Sequence, residues 1–138
     1  MDHDHLVSER VIRAAIEVHR ALGPGLLEDP YLTCMCVELA HMGIPFERER
    51  RFALEYRGVK VGDYIPDLIV ANMVVVEVKS VHHIEPVFTA QVITYLRITK
   101  LRVGLILNFN APKLIDGLKR VVLTSTNPAA SPAPGTEP

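Results

Sequence analysis

The sequence has little of three things that often point to a function: cysteine, tryptophan and an excess of one charge. Among its 138 residues there are 2 cysteines and no tryptophan, and the formal net charge is −1. Cys34 and Cys36 lie two apart on a predicted helix and point to nearly opposite sides, so they can form neither a disulfide nor a zinc site. We expect both thiols to be reduced. Because the net charge is close to zero, any contact with nucleic acid must come from a local patch.

Long hydrophobic runs and targeting signals are also missing. No apolar run reaches the length that crosses a membrane, and the N-terminus lacks the features of a signal peptide, so the cytoplasm is the expected location. Hydrophobic residues make up 49% of the chain, which is enough for the core of one domain without disulfide support. We predict a domain over residues 1–123 and a disordered tail over 124–138, where core-forming residues are almost absent.

Hydrophobic periodicity and turn residues predict the element order αα-βββ-α-β. Helices are predicted over 8–22, 27–42 and 86–100, and strands over 44–56, 65–70, 73–79 and 102–110. Residues 1–7 are expected to form a solvated end, and the last element, over 114–123, is either a strand or a helix. A strand, helix, strand succession favours a right-handed parallel crossover. We therefore expect an α/β fold of three layers, in which helices cover a four-stranded mixed sheet.

Two acidic residues interrupt the most apolar run of the chain, the hairpin predicted over 65–79. A three-residue loop at 71–73 places Asp67 opposite Glu77 on one face, and Lys79 shares that face. A two-residue loop would leave one carboxylate on each face. Adjacent buried carboxylates need a cation, a shared proton or water. A divalent metal with oxygen ligands meets this need, whereas ordinary surface charges fit an apolar run poorly.

A third acid, Glu28, lies in the first turn of the second predicted helix. The apolar stripe of this helix, extended back by one turn, reaches Glu28 and directs it inward, towards Asp67 and Glu77. The alternative is an acid that interacts with the helix dipole, and both interpretations can hold. Tyr31, one turn further on, is expected to pack in the core with its hydroxyl at a polar tip.

Two motifs carry a resemblance to a known family. Pro66-Asp67, a spacer and Glu77-Val78-Lys79 resemble the signature of the PD-(D/E)XK nuclease superfamily. The segment 25–31, Gly-Leu-Leu-Glu-Asp-Pro-Tyr, resembles the motif of the GxxExxY family, a group of small bacterial and archaeal proteins assigned to that superfamily. The likeness runs from about residue 12 to 121, and it also takes in Gln91, Tyr95 and the strand end at 108–110. Asp29-Pro30 is a departure within the motif that touches no expected ligand.

The resemblance implies a restriction-endonuclease-like fold and a nuclease that hydrolyses DNA or RNA with Mg²⁺ or Mn²⁺. The metal ligands that it implies are Glu28, Asp67, Glu77 and the carbonyl of Val78. Lys79 would orient the attacking water or stabilise the transition state, and Gln91 would position the lysine or the water. For Gln91 the alternative is a buried amide whose hydrogen bonds are satisfied by the backbone.

Two other functions stay open at this point: a module that binds nucleic acid without cutting it, and a protein-interaction domain that has kept a metal-stabilised hairpin. Lys79 beside two carboxylates favours catalysis, since a binding module has no use for it. Basic residues that could contact phosphates lie in the first predicted strand and in the turn after it, although mixed charges there are more typical of a solvated edge: Arg48, Arg50, Arg51, Arg57 and Lys60. A homodimer that cuts both strands is one option, but no stripe in the sequence specifies its interface.

Overall fold

The computed structural model describes residues 3–124. Its elements, in chain order, are α1 (His3–Leu22), α2 (Glu28–His41), β1 (Phe46–Arg48), β2 (Phe52–Tyr56), β3 (Val59–Tyr64), β4 (Leu68–Val70), β5 (Val74–Lys79), α3 (Pro86–Thr99), β6 (Val103–Asn108), a short 3-10 helix (Leu114–Gly117) and β7 (Leu118–Val122). The tail predicted over 124–138 lies outside the described residues, apart from Thr124. Among the helices of residues 3–124, none has the length and apolar character needed to cross a membrane.

Five strands form the central sheet, in the order β1-β4-β5-β6-β7. β5 and β6 run parallel, and the other neighbouring strands are antiparallel. Parallel neighbours need a crossover between them, and α3 is that crossover. The mixed sheet and its helices confirm the predicted α/β fold class, which is consistent with a restriction-endonuclease-like fold.

Details of the predicted sheet need correction. The sheet has five strands rather than four, since residues 118–122 pair with β6. The single strand predicted over 44–56 is two strands: β1 pairs with β4, while β2 and β3 form a separate two-stranded sheet. The break comes at Glu49, whose φ of 55° is a left-handed conformation that ends an extended strand. α1 begins at His3, so the expected solvated end is shorter than predicted.

Side chains alternate along β5 and divide the core into two layers. Val74, Val76 and Val78 pack in the cluster that contains α1 and α2, whereas Val75 packs in the cluster of α3. By the same alternation Glu77 lies on the α3 face of the sheet. α3 approaches the sheet closely at Gly104 of β6, where a Cβ would meet Val92 Cγ1 at 2.6 Å.

Candidate active site

The loop between β4 and β5 sets the geometry of the site. Leu68 pairs with Val76, and the loop consists of the three residues 71–73, as predicted. The first two loop residues have φ of 52° and 54°, the left-handed conformation that a tight turn requires. The same register, continued by one residue, places Asp67 opposite Glu77.

Asp67 and Glu77 exchange hydrogen bonds with each other's strand. Glu77 Oε2 accepts the backbone N–H of Asp67 at 2.7 Å, and Asp67 Oδ2 accepts the backbone N–H of Val78 at 2.8 Å. Each carboxylate thus takes the place of a backbone carbonyl just before β4 begins. Within residues 3–124, the second oxygen of each carboxylate makes no hydrogen bond.

Burial makes negative charge costly at this pair. Glu77 is only 5% exposed, and burial, followed by the negative charge of Asp67, raises the pKa of Glu77 to about 8. Burial also raises the pKa of Asp67, while the N–H of Val78 and the charge of Lys79 oppose the rise. Two neighbouring buried carboxyl groups resist losing both protons. At neutral pH the pair therefore keeps a proton unless a cation takes its place.

The donor set of the pair fits a divalent cation with oxygen ligands. Two carboxylate oxygens are available, and a backbone carbonyl can add a third donor. Lys79 O accepts the N–H of Phe109, the residue after β6, while the N–H of Val78 donates to Asp67 on the opposite edge of β5. The N–H and C=O of one strand residue point to the same edge, so the Val78 carbonyl is directed to the Asp67 side.

Glu28 lies close to the pair but does not join it as a third close acid. Its side chain is exposed at the start of α2, and its Oε2 lies 3.4 Å from the backbone N of Ser80, just beyond β5. Among residues 3–124, no three His, Cys, Asp or Glu side chains are grouped closely enough to hold a metal ion. The predicted convergence of three acids is thus limited to two. The charge of Glu28 nevertheless adds to the rise in the pKa of Asp67 and Glu77 that burial causes.

Lys79 follows Glu77 by two residues and lies on the same face of β5. Its Nζ stands 4.4 Å from the centroid of the Phe88 ring on α3. The positive charge lowers the pKa of Asp67 and Glu77 against the stronger effect of burial. In the described part of the chain, Lys79 forms no ion pair with a carboxylate. The ammonium group is therefore held by an aromatic face and is available to an anionic ligand.

Gln91 and Tyr95, one helical turn apart on α3, differ in their relation to the pair. Gln91 is half-buried, and within residues 3–124 it makes no hydrogen bond to Asp67, Glu77 or Lys79. Tyr95 is buried, and burial, followed by the charges of Glu77 and Asp67, raises the pKa of its phenol to about 12. Its ring meets Tyr64 edge-on, with centroids 6.1 Å apart. The sequence singled out Tyr95 only through the family resemblance and gave it no role.

The loop between α1 and α2 is tied to the end of β5. Tyr31 is fully buried, its hydroxyl donates to Gly23 O and accepts the N–H of Leu26 at 3.1 Å, and its ring stacks on Phe109. This confirms the predicted packing with a polar tip. Ser80, which the sequence did not single out, donates from Oγ to Leu26 O at 2.6 Å. An open cleft of about 610 Å³ lies here, lined by Gly25, Leu26, Leu27, Glu28, Asp29, Ser80 and Asn110.

Most of the basic residues that could contact phosphates are already paired with acids. The pairs are Arg48 with Glu49 at 3.7 Å, Arg50 with Glu47 at 3.0 Å, Arg51 with Asp63 at 3.2 Å and Lys60 with Asp63 at 2.9 Å. These exposed pairs match the alternative of a solvated edge. Arg57, at the tip of the β2–β3 hairpin, makes no ion pair within residues 3–124. Cys34 and Cys36 are both free thiols.

Comparison with known proteins identifies the family. No curated protein matches the sequence. The crystal structure of SSO0001 aligns with 91% of this chain and 81% of that chain, with 12% sequence identity and a TM-score of 0.43. Residues 5–121 match the PD-(D/E)XK nuclease superfamily, a span that includes the carboxylate pair, Lys79 and Glu28. The chain therefore belongs to the PD-(D/E)XK nuclease superfamily.

Proposed function

We propose that this chain is a divalent-metal-dependent nuclease of the GxxExxY group that hydrolyses phosphodiester bonds in DNA or RNA. The observation that carries the proposal is the buried pair of Asp67 and Glu77, with Lys79 on the same face. Proteins of this superfamily are typically hydrolytic nucleases, and they generally use divalent metals. The finer assignment to the GxxExxY group rests on Gly25, Glu28 and Tyr31 at the spacing of its motif.

Asp67, Glu77 and the carbonyl of Val78 would hold Mg²⁺ or Mn²⁺. Both ions prefer oxygen ligands, and Mg²⁺ keeps several waters when one or two carboxylates bind it, so two acids are sufficient. When bound, the ion would supply positive charge at the scissile phosphate and acidify the attacking water. The proton that burial retains on Glu77 would leave the carboxyl group as the cation binds, because the positive charge of the cation lowers the pKa of Glu77 against the effect of burial.

The other side chains would act on the substrate by charge and hydrogen bonding. Lys79 would stabilise the negative charge that develops on the phosphate oxygens, and the ring of Phe88 would keep its ammonium group on the reacting side. Gln91 would hydrogen-bond to the attacking water or to Lys79. Glu28 would contribute through its negative charge, which adds to the raised pKa of both Asp67 and Glu77.

Nucleic acid is the proposed partner, bound through a few local contacts because the net charge of the chain is only −1. Arg57 is the candidate for one phosphate contact, since no acid within residues 3–124 forms an ion pair with it. The base of its hairpin lies beside the site, because Tyr64 at the end of β3 meets Tyr95 edge-on, and Arg57 at the tip would contact a phosphate further from the cleaved bond. A homodimer would bring a second site to the opposite strand of a duplex.

Cleavage by the wild type and by two variants tests the proposal. Single-stranded and duplex DNA, RNA and branched substrates should be offered with Mg²⁺ or Mn²⁺. Lys79→Ala should retain metal binding and lose about 10²–10³ in rate, the usual contribution of one positioned electrostatic group. Lys100→Ala, which changes an exposed lysine at the end of α3, is the matched control.

Two outcomes would overturn the proposal. Cleavage that survives in both Lys79→Ala and Glu77→Gln would come from a contaminant. Binding of nucleic acid by the wild type, without cleavage of any substrate, would establish the non-catalytic module.

A further inference from the structure

Leu26 is held at both of its backbone polar groups by side chains from different parts of the chain. Its N–H donates to the hydroxyl of Tyr31 at 3.1 Å, and its C=O accepts from Ser80 Oγ at 2.6 Å. Tyr31 belongs to α2, whereas Ser80 follows the last residue of β5. Leu26 therefore joins the loop between α1 and α2 to the strand that carries Glu77 and Lys79.

These contacts close a ring around the end of β5. The ring of Tyr31 stacks on Phe109 with centroids 4.5 Å apart and planes inclined by 10°. The N–H of Phe109 donates to Lys79 O at 2.9 Å. Lys79 is linked by a peptide bond to Ser80, and the hydrogen bond from Ser80 Oγ to Leu26 O completes the ring. Tyr31 and Phe109 are fully buried, whereas the hydrogen bond from Ser80 to Leu26 is exposed, so the buried stack anchors the ring and Ser80 closes it at the surface.

The loop between α1 and α2 has little intrinsic rigidity. Gly23 and Gly25 have φ of 69° and 105°, a region that glycine enters without steric cost, and Leu26 and Leu27 are 40% and 80% exposed. Glu28 follows Leu26 by two residues, and its Oε2 faces the N–H of Ser80. The two hydrogen bonds to Leu26 therefore add to the packing of α2, of which Glu28 is the first residue, in setting the position of this acid relative to β5.

We infer that Tyr31 and Ser80 are positioning residues, which fix Leu26 from both sides and so keep Glu28 beside the strand end that carries Glu77 and Lys79. The inference rests on the proposed nuclease function, in which the charge of Glu28 acts at the carboxylate pair. Neither side chain touches the reacting groups. Their effect on the rate passes through the placement of Glu28.

The first test compares steady-state kinetics of Tyr31→Phe and Ser80→Ala with wild type. Each variant removes one of the two bonds to Leu26, and Tyr31→Phe also removes the bond to Gly23 O while it keeps the stacked ring. Misplacing a group by about 1 Å can cost ~10² in rate. In each variant only one hydrogen bond still fixes Leu26, so we expect kcat to fall by about tenfold and KM to stay unchanged. Tyr56→Phe, at a tyrosine 53% exposed on β2, is the matched control, and Ser80→Thr should restore most of the rate.

The second test separates positioning from general support of the fold. In a Glu28→Gln background, Tyr31→Phe and Ser80→Ala should cause no further loss of kcat, because the group that they position has lost its charge. Losses that multiply across Tyr31→Phe and Glu28→Gln would overturn the inference, since the tyrosine would then act by another route.

Amide hydrogen exchange keeps the inference testable if the wild type cleaves no substrate. The N–H of Leu26 should be protected in wild type and exchange at least tenfold faster in Tyr31→Phe and Ser80→Ala, while amides of β6 stay unchanged. If no substrate is cleaved but the amides show this exchange pattern, the proposed function is refuted. The finding that Tyr31 and Ser80 fix the backbone of Leu26 would still stand. An unprotected Leu26 amide in wild type would overturn the inference itself.

Discussion

Lys79 Nζ lies over the ring of Phe88, 4.4 Å from its centroid, on the face of the sheet that carries Asp67 and Glu77. A cation above an aromatic face gains about 0.5–1 kcal/mol at an exposed site and more when water is excluded. The helix that crosses from β5 to β6 thus supplies the surface that directs the lysine. Lys79 and Phe88 act as one unit in this arrangement.

Phe88→Leu should therefore lower the rate of cleavage, since it keeps an apolar side chain and removes the aromatic face. A loss of about 0.5–1 kcal/mol corresponds to roughly two- to fivefold in kcat. Phe88→Tyr keeps the ring and should stay near the wild-type rate. Single-turnover kinetics at saturating metal would measure the effect, and equal rates for Phe88→Leu and wild type would show that the ring does not direct the lysine.

Metal binding should stabilise the folded protein, because the carboxylate pair exists only in that state. At a metal concentration of about 100 times Kd the expected gain is about 2.7 kcal/mol. Asp67→Asn should raise Tm without metal, by removing a buried negative charge, and abolish the shift caused by Mn²⁺ or Mg²⁺. Thermal unfolding measures both effects, with Asp116→Asn, at an exposed acid of the 3-10 helix, as control. A full metal shift in Asp67→Asn would count against ligation by this residue.

Without metal, stability should fall as pH rises through the range in which Glu77 is protonated only in the folded state. Its pKa is raised to about 8 in the folded protein from an ordinary value of 4.5, so the folded state binds more protons than the unfolded state between these values. The free energy of unfolding then decreases with increasing pH over this window.

Glu77→Gln should remove most of that slope, because its side-chain carbonyl can still accept the N–H of Asp67 and no longer titrates. Urea unfolding at pH 5, 6, 7 and 8 in the presence of a chelator would measure it. A slope of the same size in Glu77→Gln would assign the pH dependence to other groups.

The salt dependence of nucleic-acid binding should depend more on Arg57 than on Arg51. Arg51 is engaged with Asp63 at 3.2 Å, whereas within the described residues Arg57 has no acidic partner. Each phosphate contact contributes about one unit to the slope of log K against log salt, so Arg57→Ala should reduce the slope by about that amount. Arg51→Ala should change it little. Equal effects of the two substitutions would mean that Arg57 is not a separate contact.

The carboxylate pair could be predicted from the sequence because the residues that determine it are close together in the chain. Asp67 and Glu77 lie on neighbouring strands joined by three residues, and parity together with the apolar run leaves one register that suits both. The contact between Ser80 and Leu26 joins residues 54 positions apart, and no pattern in the sequence signals it. It depends on how α2 and β5 pack, which only the folded chain reveals.

The errors in the sheet have a similar cause. Residues 118–122 form β7 because β6 offers an edge, and a short segment of mixed character does not reveal this on its own. The strand predicted over 44–56 breaks at Glu49, where the backbone N–H donates to Asp67 O at 2.9 Å. That bond continues the pairing with the β4 side by one residue, and the left-handed φ of Glu49 then directs the chain into the separate β2–β3 hairpin. A tertiary arrangement of this kind overrides local propensity.

The different sequence separations within the site also imply an order of assembly. Asp67 and the Glu77 that accepts its N–H are 10 residues apart, whereas Glu28 and Ser80 are 52 apart. The entropy lost on closing a loop grows with its length, so the hairpin can form before the α1–α2 loop docks. The two acids then meet while water still surrounds them and their repulsion is weak. A destabilised molecule should release Glu28 first, and would retain a carboxylate pair long after it has lost the acid beside it.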